Sequence, residues 1–115
     1  MSEQLPITRM SGYRIMWMLV MFDLPVVEKK QRKEATRFRN SLLDLGFDMV
    51  QFSVYMRCCV SRERADAVTR KVRQAMPSGG KVTILFITDK QYAGMLNFRA
   101  RERKEPPDNG QLALF

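Results

Sequence analysis

Apolar residues along this chain form continuous runs, strict alternations and helical stripes, and each pattern predicts a different element. Every side chain from Ile15 to Phe22 is apolar, which is typical of a short strand buried on both faces at the centre of a sheet. After Pro25, apolar residues recur three and four positions apart, at Ala35, Phe38, Leu42 and Leu45. This stripe predicts a helix that buries one face and ends near Gly46.

An alternating segment follows the predicted helix. From Phe47 to Val60, apolar residues alternate with more polar ones, and the buried face is expected to carry Val54, Met56 and Cys58. The segment is longer than a typical strand. We therefore expect either two strands or one long strand that bends near Gln51–Val54.

The remaining pattern predicts a second helix and a further strand. Ser61 is expected to cap the helix, whose apolar stripe is Ala65, Val68 and Val72. Pro77–Gly80 ends it, and the nearly continuous apolar run Lys81–Thr88 predicts a strand. Asp89–Gln91 indicates a turn, and Tyr92–Phe98 a short C-terminal strand.

The order of these elements indicates an α+β fold of the ferredoxin-like βαββαβ type, with an antiparallel sheet and a short C-terminal strand added. We expect a flexible N-terminal arm over residues 1–13, the folded domain over 14–98, and a charged tail with an apolar tip over 99–115. Two helices cover one face of the sheet and leave an apolar face open. A face-to-face homodimer is the simplest way to bury that face.

The net charge of the chain indicates what kind of partner it binds. Lys and Arg outnumber Asp and Glu by 20 to 12, which gives a net charge of +8 and favours a polyanion, most commonly nucleic acid. The flanks of the first helix are unusually basic, and the residues expected to contact phosphates there are Lys30, Arg32, Lys33, Arg37 and Arg39. The alternative is a solvated basic surface with no ligand.

Composition also excludes some chemistry. The chain has no histidine, so His-based catalysis and His-ligated zinc are excluded. Cys58 and Cys59 are adjacent and fit neither a disulfide framework nor a C-x-x-C site, so we interpret both as packing residues. No apolar run reaches the length of a membrane span, and the first residues do not resemble a signal peptide. A cytoplasmic protein that does not associate with membranes is expected.

Asp23 is the main candidate for chemistry, because it stands where the first apolar strand leaves the core. A carboxylate there is placed to hold a cation, although an aspartate just before Pro25 also suits a helix cap or a turn. One carboxylate is a poor Mg²⁺ site. In a two-fold dimer, Asp23 from each copy would approach the axis and supply two.

Several segments together resemble a known family: Met21-Phe22-Asp23, the basic first helix, Leu42-Leu43-Asp44-Leu45-Gly46-Phe47, and Gln51-Phe52-Ser53-Val54-Tyr55. In order and spacing they are similar to the small CRISPR-associated adaptation proteins, the "Cas-two" family. The resemblance implies a ferredoxin-like homodimer that acts with the adaptation integrase to capture foreign double-stranded DNA. It also implies that Asp23 is the catalytic and metal-binding residue of a Mg²⁺- or Mn²⁺-dependent nuclease acting on RNA or DNA. Phe22 departs from the Tyr that many members carry.

The leading hypothesis is therefore a DNA-binding structural subunit of the CRISPR adaptation complex, with metal-dependent endonuclease activity as a second role. The alternative is a free-standing Mg²⁺-dependent endoribonuclease similar to toxins of this fold. An RNA-binding module of the RRM type ranks last, because no strand carries its aromatic motif. At the C-terminal tip, Leu112, Leu114 and Phe115 are expected either to dock on the integrase or to lack order.

Overall fold

The computed structural model describes residues 15–100 of the 115-residue chain. The elements run in the order β1 (Met16–Asp23), α1 (Lys29–Asp44), β2 (Asp48–Gln51), β3 (Val54–Cys59), α2 (Arg62–Gln74), β4 (Lys81–Thr88) and α3 (Asp89–Ala93). The predicted N-terminal arm, most of the tail, and the tip residues Leu112, Leu114 and Phe115 lie outside the described residues.

The four strands form one antiparallel sheet in the spatial order β2-β3-β1-β4. At the middle of β1, Leu19 lies opposite Met56 of β3 and Leu85 of β4. Together with α1 and α2, this sheet is the ferredoxin-like α+β arrangement that the sequence predicts. The expected strand pair is confirmed, since residues 52 and 53 form the turn between β2 and β3.

The core lies between one face of the sheet and the two long helices. From β1 it takes Met18, Val20 and Phe22, all buried. The predicted stripes of both helices are confirmed, because the buried helical residues are Ala35, Phe38, Leu42, Ala65, Val68 and Val72. Phe22 packs edge-on against Phe38 with ring centroids 5.1 Å apart, which ties α1 to the end of β1 that carries Asp23.

Local signals set the helix ends. The Gln31 side chain accepts hydrogen bonds from the backbone N–H groups of Val27 and Glu28, at 3.0 and 2.9 Å, and so satisfies donors that the first turn leaves free. Ser61 caps α2 as predicted, because its hydroxyl accepts from the Arg64 N–H at 3.1 Å. Gly46 follows α1 with a φ of 90°, a conformation that favours glycine.

The predicted C-terminal strand is wrong. Thr88 caps α3 instead, accepting from the backbone N–H of Gln91 at 3.0 Å, and residues 95–100 carry no regular structure. Trp17 fixes the short helix: its ring stacks on Tyr92 at 3.8 Å, and its indole N–H donates to Asp89 at 2.9 Å. The sequence of Tyr92–Phe98 does not reveal this helix, because the partner that fixes it, Trp17, is on β1.

The predicted facing of β3 is also wrong, although Met56 is buried as expected, at 6 % exposed. The structure buries Tyr55 and Cys59 against the helices, and alternation then places Val54, Met56 and Cys58 on the opposite face. Both faces of β3 carry apolar side chains, so a period of two does not decide which one meets the helices. The aromatic ring of Tyr55 fills the core beside Phe22, with centroids 5.7 Å apart.

The second face of the sheet has little cover within residues 15–100. By alternation it carries Trp17, Leu19 and Met21 of β1 and Leu85 of β4. Leu85 is 46 % exposed, and α3 packs at the Trp17 end. We call this surface the open face. The sequence predicts that this face is apolar, and it predicts that a second copy of the chain buries it.

Among residues 15–100, no helix is long and apolar enough to cross a membrane.

We predict that the purified protein is a dimer held together by the open face. Light scattering after size exclusion should then give about twice the chain mass of 13.4 kDa. Leu85→Glu should shift the protein to monomer, because it places a charge in the apolar interface. Leu43→Glu is the matched control, since Leu43 is 50 % exposed on α1 and away from this face. A monomeric wild type at micromolar concentration would contradict the prediction.

We also predict that Gly46→Ala destabilises the fold. The alanine would have to keep the left-handed backbone conformation of Gly46, and its Cβ would lie 2.9 Å from the Arg57 guanidinium. Urea unfolding at fixed protein concentration should show a loss of about 1–2 kcal/mol. Gly94→Ala is the control, because Gly94 has a φ of −88° and its nearest contact is at 3.6 Å. Equal effects of the two changes would show that Gly46 has no special conformational role.

Candidate functional site: a carboxylate on the open face and a basic helix layer

Asp23 is the last residue of β1 and is exposed. Alternation along β1 places its side chain on the open face, with Leu19 and Met21. A dimer formed through that face would therefore bring Asp23 of each copy toward the interface, as the sequence analysis expects. On the neighbouring strand, Lys81 lies directly opposite Asp23 in the register of β1 and β4. Sequence reasoning missed this lysine, since strand register is not visible in the sequence.

The backbone around Asp23 is closely packed. Phe22 donates its N–H to the Ser53 carbonyl at 3.1 Å, which extends β1–β3 pairing to the end of the strand. Gly80 has a φ of 94°, and a Cβ there would lie 2.7 Å from the Asp23 carbonyl oxygen. Glycine is therefore required where β4 begins. The position of Asp23 is fixed by both of its neighbouring strands.

One copy of the chain does not supply a complete metal site at Asp23. Across residues 15–100, no three or more Asp, Glu, Cys or His residues are grouped closely enough to hold a metal ion. Lys81 lies opposite Asp23 in the register of β1 and β4, and a lysine at this position would disfavour a second cation beside the carboxylate. Carboxylate oxygen is nonetheless a ligand that Mg²⁺ prefers. Asp23 supplies one such ligand, so a Mg²⁺ site at this position would need further ligands from outside this copy of the chain.

The five predicted phosphate-contacting residues separate into two groups in the structure. Lys30, Lys33 and Arg37 are exposed, and their spacing places them within about 60° of one another around α1. We call these three residues the α1 basic stripe. They lie on the flank of α1 that also carries Glu34, which accepts a hydrogen bond from Ser78 at 3.3 Å. Since Ser78 follows α2, this flank faces the second helix.

Arg32 and Arg39 lie on the other flank and contact the protein itself. The Arg32 guanidinium donates to the carbonyls of Val26 and Val27 at 3.2 and 2.7 Å. Arg39 is half-buried, and its guanidinium lies 5.1 Å from the ring centroid of Phe22 and 4.2 Å from that of Phe52.

Nη1 of Arg39 is buried and has no hydrogen-bond partner among the described residues. Its two cation–π contacts contribute about 1 kcal/mol each. A phosphate contact by Arg39 remains untested, and the structure assigns this residue a packing role.

The basic residues near the start of α2 likewise do not all lie in one place. Arg57 and Arg64 line a cleft between the end of α1 and α2, together with Lys71. Arg62 lies elsewhere, beside Asp66 and Phe86. Lys71 was not singled out from the sequence, although it lies two helical turns after Arg64 and therefore on the same flank of α2.

The cysteines behave as packing residues. Cys59 is buried, and its thiol lies 3.3 Å from the sulfur of Met18. Burial raises the pKa of the Cys59 thiol, an effect that the nearby Arg57 partly opposes. The thiol therefore stays protonated near neutral pH and is a poor nucleophile.

Comparison with known proteins decides the family. Residues 16–95 match the family model described as "CRISPR associated protein Cas2". The chain belongs to the Cas2 family. The matched range spans every strand and helix described above, so the resemblance drawn from the sequence is confirmed.

Curated relatives support the assignment over nearly the whole chain. A Cas2 protein of Paracidovorax avenae is 57 % identical over 92 % of this chain and 99 % of its own length. One from Flavobacterium psychrophilum is 46 % identical over 94 % of this chain and 95 % of its own. Both are named "CRISPR-associated endoribonuclease Cas2". A solved structure titled "Crystal structure of cas2" superposes with a TM-score of 0.53 at 17 % identity, covering 80 % of this chain and 97 % of the other, which supports the fold.

Proposed function

We propose that this Cas2-family protein is a dimeric, DNA-binding structural subunit of the CRISPR adaptation complex, and that it acts beside the adaptation integrase. The observation that carries the proposal is the α1 basic stripe of Lys30, Lys33 and Arg37. These side chains are exposed, lie on one flank of a helix, and point away from the core that the same helix helps to build. Such a row of cations suits the regularly spaced phosphates of a nucleic acid.

The charge balance supports a polyanionic ligand. Glu34 is the one acidic residue between Lys30 and Arg37 on α1, so the α1 basic stripe sets three cations against one carboxylate. The stripe therefore keeps an excess of positive charge, on a chain whose net charge is +8. Contacts from Lys and Arg to phosphates position a duplex without reading its sequence. Binding that is insensitive to sequence suits a protein that handles foreign DNA of any origin.

A second candidate function is metal-dependent hydrolysis of RNA at Asp23. Two observations favour it: the carboxylate is exposed on the open face, and the curated relatives are named endoribonucleases. In the dimer, Asp23 of each copy would hold a shared Mg²⁺ or Mn²⁺ ion. When bound, such an ion supplies an activated water and stabilises charge on a phosphate. The chain's own contribution is to fix both carboxylates through the paired ends of β1, β3 and β4.

Lys81 affects this second function directly. Lys81 is the register partner of Asp23 on β4, and a positive charge at this position on the same face would lower the affinity of the carboxylate for a cation. A nucleic acid would counteract that effect, because its phosphates add negative charge at the same place. Metal binding and nucleic-acid binding at the open face are therefore expected to strengthen each other.

Charge reversal on α1 tests the structural role. The triple variant Lys30→Glu, Lys33→Glu and Arg37→Glu should weaken binding to duplex DNA of every sequence and flatten the dependence of affinity on salt. Fluorescence anisotropy over a salt series measures both quantities.

The control is Lys29→Glu, Arg70→Glu and Arg73→Glu, which makes the same charge change at exposed positions off the stripe. Equal losses in the two variants would mean that only net charge matters. Unchanged binding by the stripe variant would exclude α1 from the interface.

Asp23→Asn tests the second role. It should lower the affinity of the dimer for Mn²⁺ about tenfold or more, as measured by calorimetry, with no change in dimer mass. Asp48→Asn, an exposed aspartate on β2, is the control and should leave metal affinity unchanged. Metal-dependent cleavage of RNA and duplex DNA is then assayed beside spacer acquisition with the integrase. Robust wild-type cleavage, with acquisition lost in Asp23→Asn, would place hydrolysis ahead of the structural role.

A further inference from the structure

A cleft of about 480 Å³ lies between the C-terminal end of α1 and the flank of α2. Its charged lining is Arg57 from β3, Arg64 and Lys71 from α2, and Asp44 from α1. Three cations against one carboxylate leave the cleft with a net positive charge. Its size is within the range that accommodates a nucleotide-sized group.

Arg57 is held in place before any ligand arrives. Its guanidinium donates to the carbonyl of Leu45 and, at 3.3 Å, to that of Cys58. Gly46 makes room for it, because a Cβ at that position would lie 2.9 Å from Nη1. The side chain is half-buried and has more donors than these two bonds use. An arginine fixed in this way loses little conformational entropy when it binds an anion.

The cleft is separate from the Asp23 position. Arg57 lies opposite Met18 on β1, five residues before Asp23, which corresponds to about 17 Å along a strand. The cleft opens on the helix side of the sheet, whereas Asp23 is on the open face. Because no carboxylate besides Asp44 lines the cleft, its donors suit an anion and not a metal ion.

The α1 basic stripe leads to this cleft. Lys30, Lys33 and Arg37 lie on the flank of α1 that faces α2, and the same flank ends at Asp44 on the rim of the cleft. Cations therefore follow the groove between the two helices for most of the length of α1. At the cleft, Arg57 is held by its hydrogen bonds to the carbonyls of Leu45 and Cys58.

We propose that the Arg57–Arg64–Lys71 cleft binds a backbone phosphate of the nucleic acid that the α1 basic stripe contacts, and that it is the anchor point of the groove. The inference rests on the proposed function for its ligand. The guanidinium groups of Arg57 and Arg64 supply directional donors to phosphate oxygens, and Lys71 adds a point charge. Asp44 opposes the phosphate and limits its affinity.

Neutral substitutions on α2 test the cleft without disturbing Arg57. Arg64→Gln with Lys71→Gln should reduce the slope of log affinity against log salt for duplex DNA by up to about 0.9 per cleft, since the slope changes by about 0.9 for each phosphate that is no longer neutralised. Arg70→Gln with Arg73→Gln is the matched control. It removes the same charge from exposed positions of the same helix that do not line the cleft, and the slope should stay near that of the wild type.

A substitution that removes negative charge from the cleft, and should therefore tighten binding, provides a second test. Asp44→Asn removes the carboxylate from the rim and should tighten duplex binding, whereas Asp66→Asn, on the far flank of α2, should not. Titration of the ¹⁵N-labelled protein with inorganic phosphate should also shift the amide signals of Gly46 and Arg64 in a saturable way.

The outcomes separate this inference from the proposed function. If the stripe variant weakens duplex binding while the α2 cleft pair behaves like its control, the cleft proposal is overturned and the proposed function stands. If phosphate saturates the cleft but the duplex slope is unchanged, the site serves a free phosphate compound, and the backbone assignment is wrong. The proposal is supported if the Arg64→Gln and Lys71→Gln variant shows a smaller salt slope for duplex binding and Asp44→Asn binds the duplex more tightly.

Discussion

The structure depends on one requirement, which is that both faces of β1 have to be shielded from water. Met18, Val20 and Phe22 on one face are buried under α1 and α2. Leu19 and Met21 on the other face have no helix over them within the described residues apart from α3, which packs at the Trp17 end. A sheet of this size with an apolar open face is stable in water only when that face finds a partner, and a second copy is the partner that is always available. The central strand thus sets both the fold and the expected assembly.

The alternation of side chains along β1 also places the Asp23 carboxylate and the cations of the helices on opposite sides of the sheet. Side chains at odd positions of β1 face the open side, so Asp23 lies there, with Lys81 beside it. The cations that remain free, by contrast, are carried by the helix layer. Asp23 is therefore on the face that we predict to form the dimer interface, while the exposed cations of α1 and α2 lie on the other side of the sheet. DNA that binds along the groove between α1 and α2, as proposed, would lie on the other side of the sheet from Asp23. An RNA substrate would instead have to reach the open face, so the two proposed functions would use different surfaces.

The sequence predicts those parts of the fold that depend on local periodicity or capping. The stripes of α1 and α2, the Ser61 cap and the glycine end of α1 are all found where they are expected. The errors arise where the deciding contact is distant in sequence. Tyr92 becomes part of a helix because Trp17 stacks on it, and the facing of β3 is set by which side meets the helices. Asp23 could be singled out because it ends an apolar run, whereas Lys81 and Lys71 acquire meaning only from strand register and helix packing.

Counting charges overestimates how many cations are free to bind a ligand. Arginine has a flat, weakly hydrated guanidinium that also packs and caps, and three arginines of this chain use it in this way. Arg32 binds the carbonyls before α1, Arg39 lies between two aromatic rings, and Arg57 holds the end of α1. Lysine has a compact and strongly hydrated ammonium group. Lys30, Lys33 and Lys71 do not pack or cap in this way, and their side chains are exposed. The cations left for a polyanion are therefore fewer than the net charge of +8 suggests. Among the described residues, Lys30, Lys33, Arg37, Arg64 and Lys71 are exposed along α1 and the facing flank of α2. We therefore expect position on these helices, and not total charge, to determine where a nucleic acid binds.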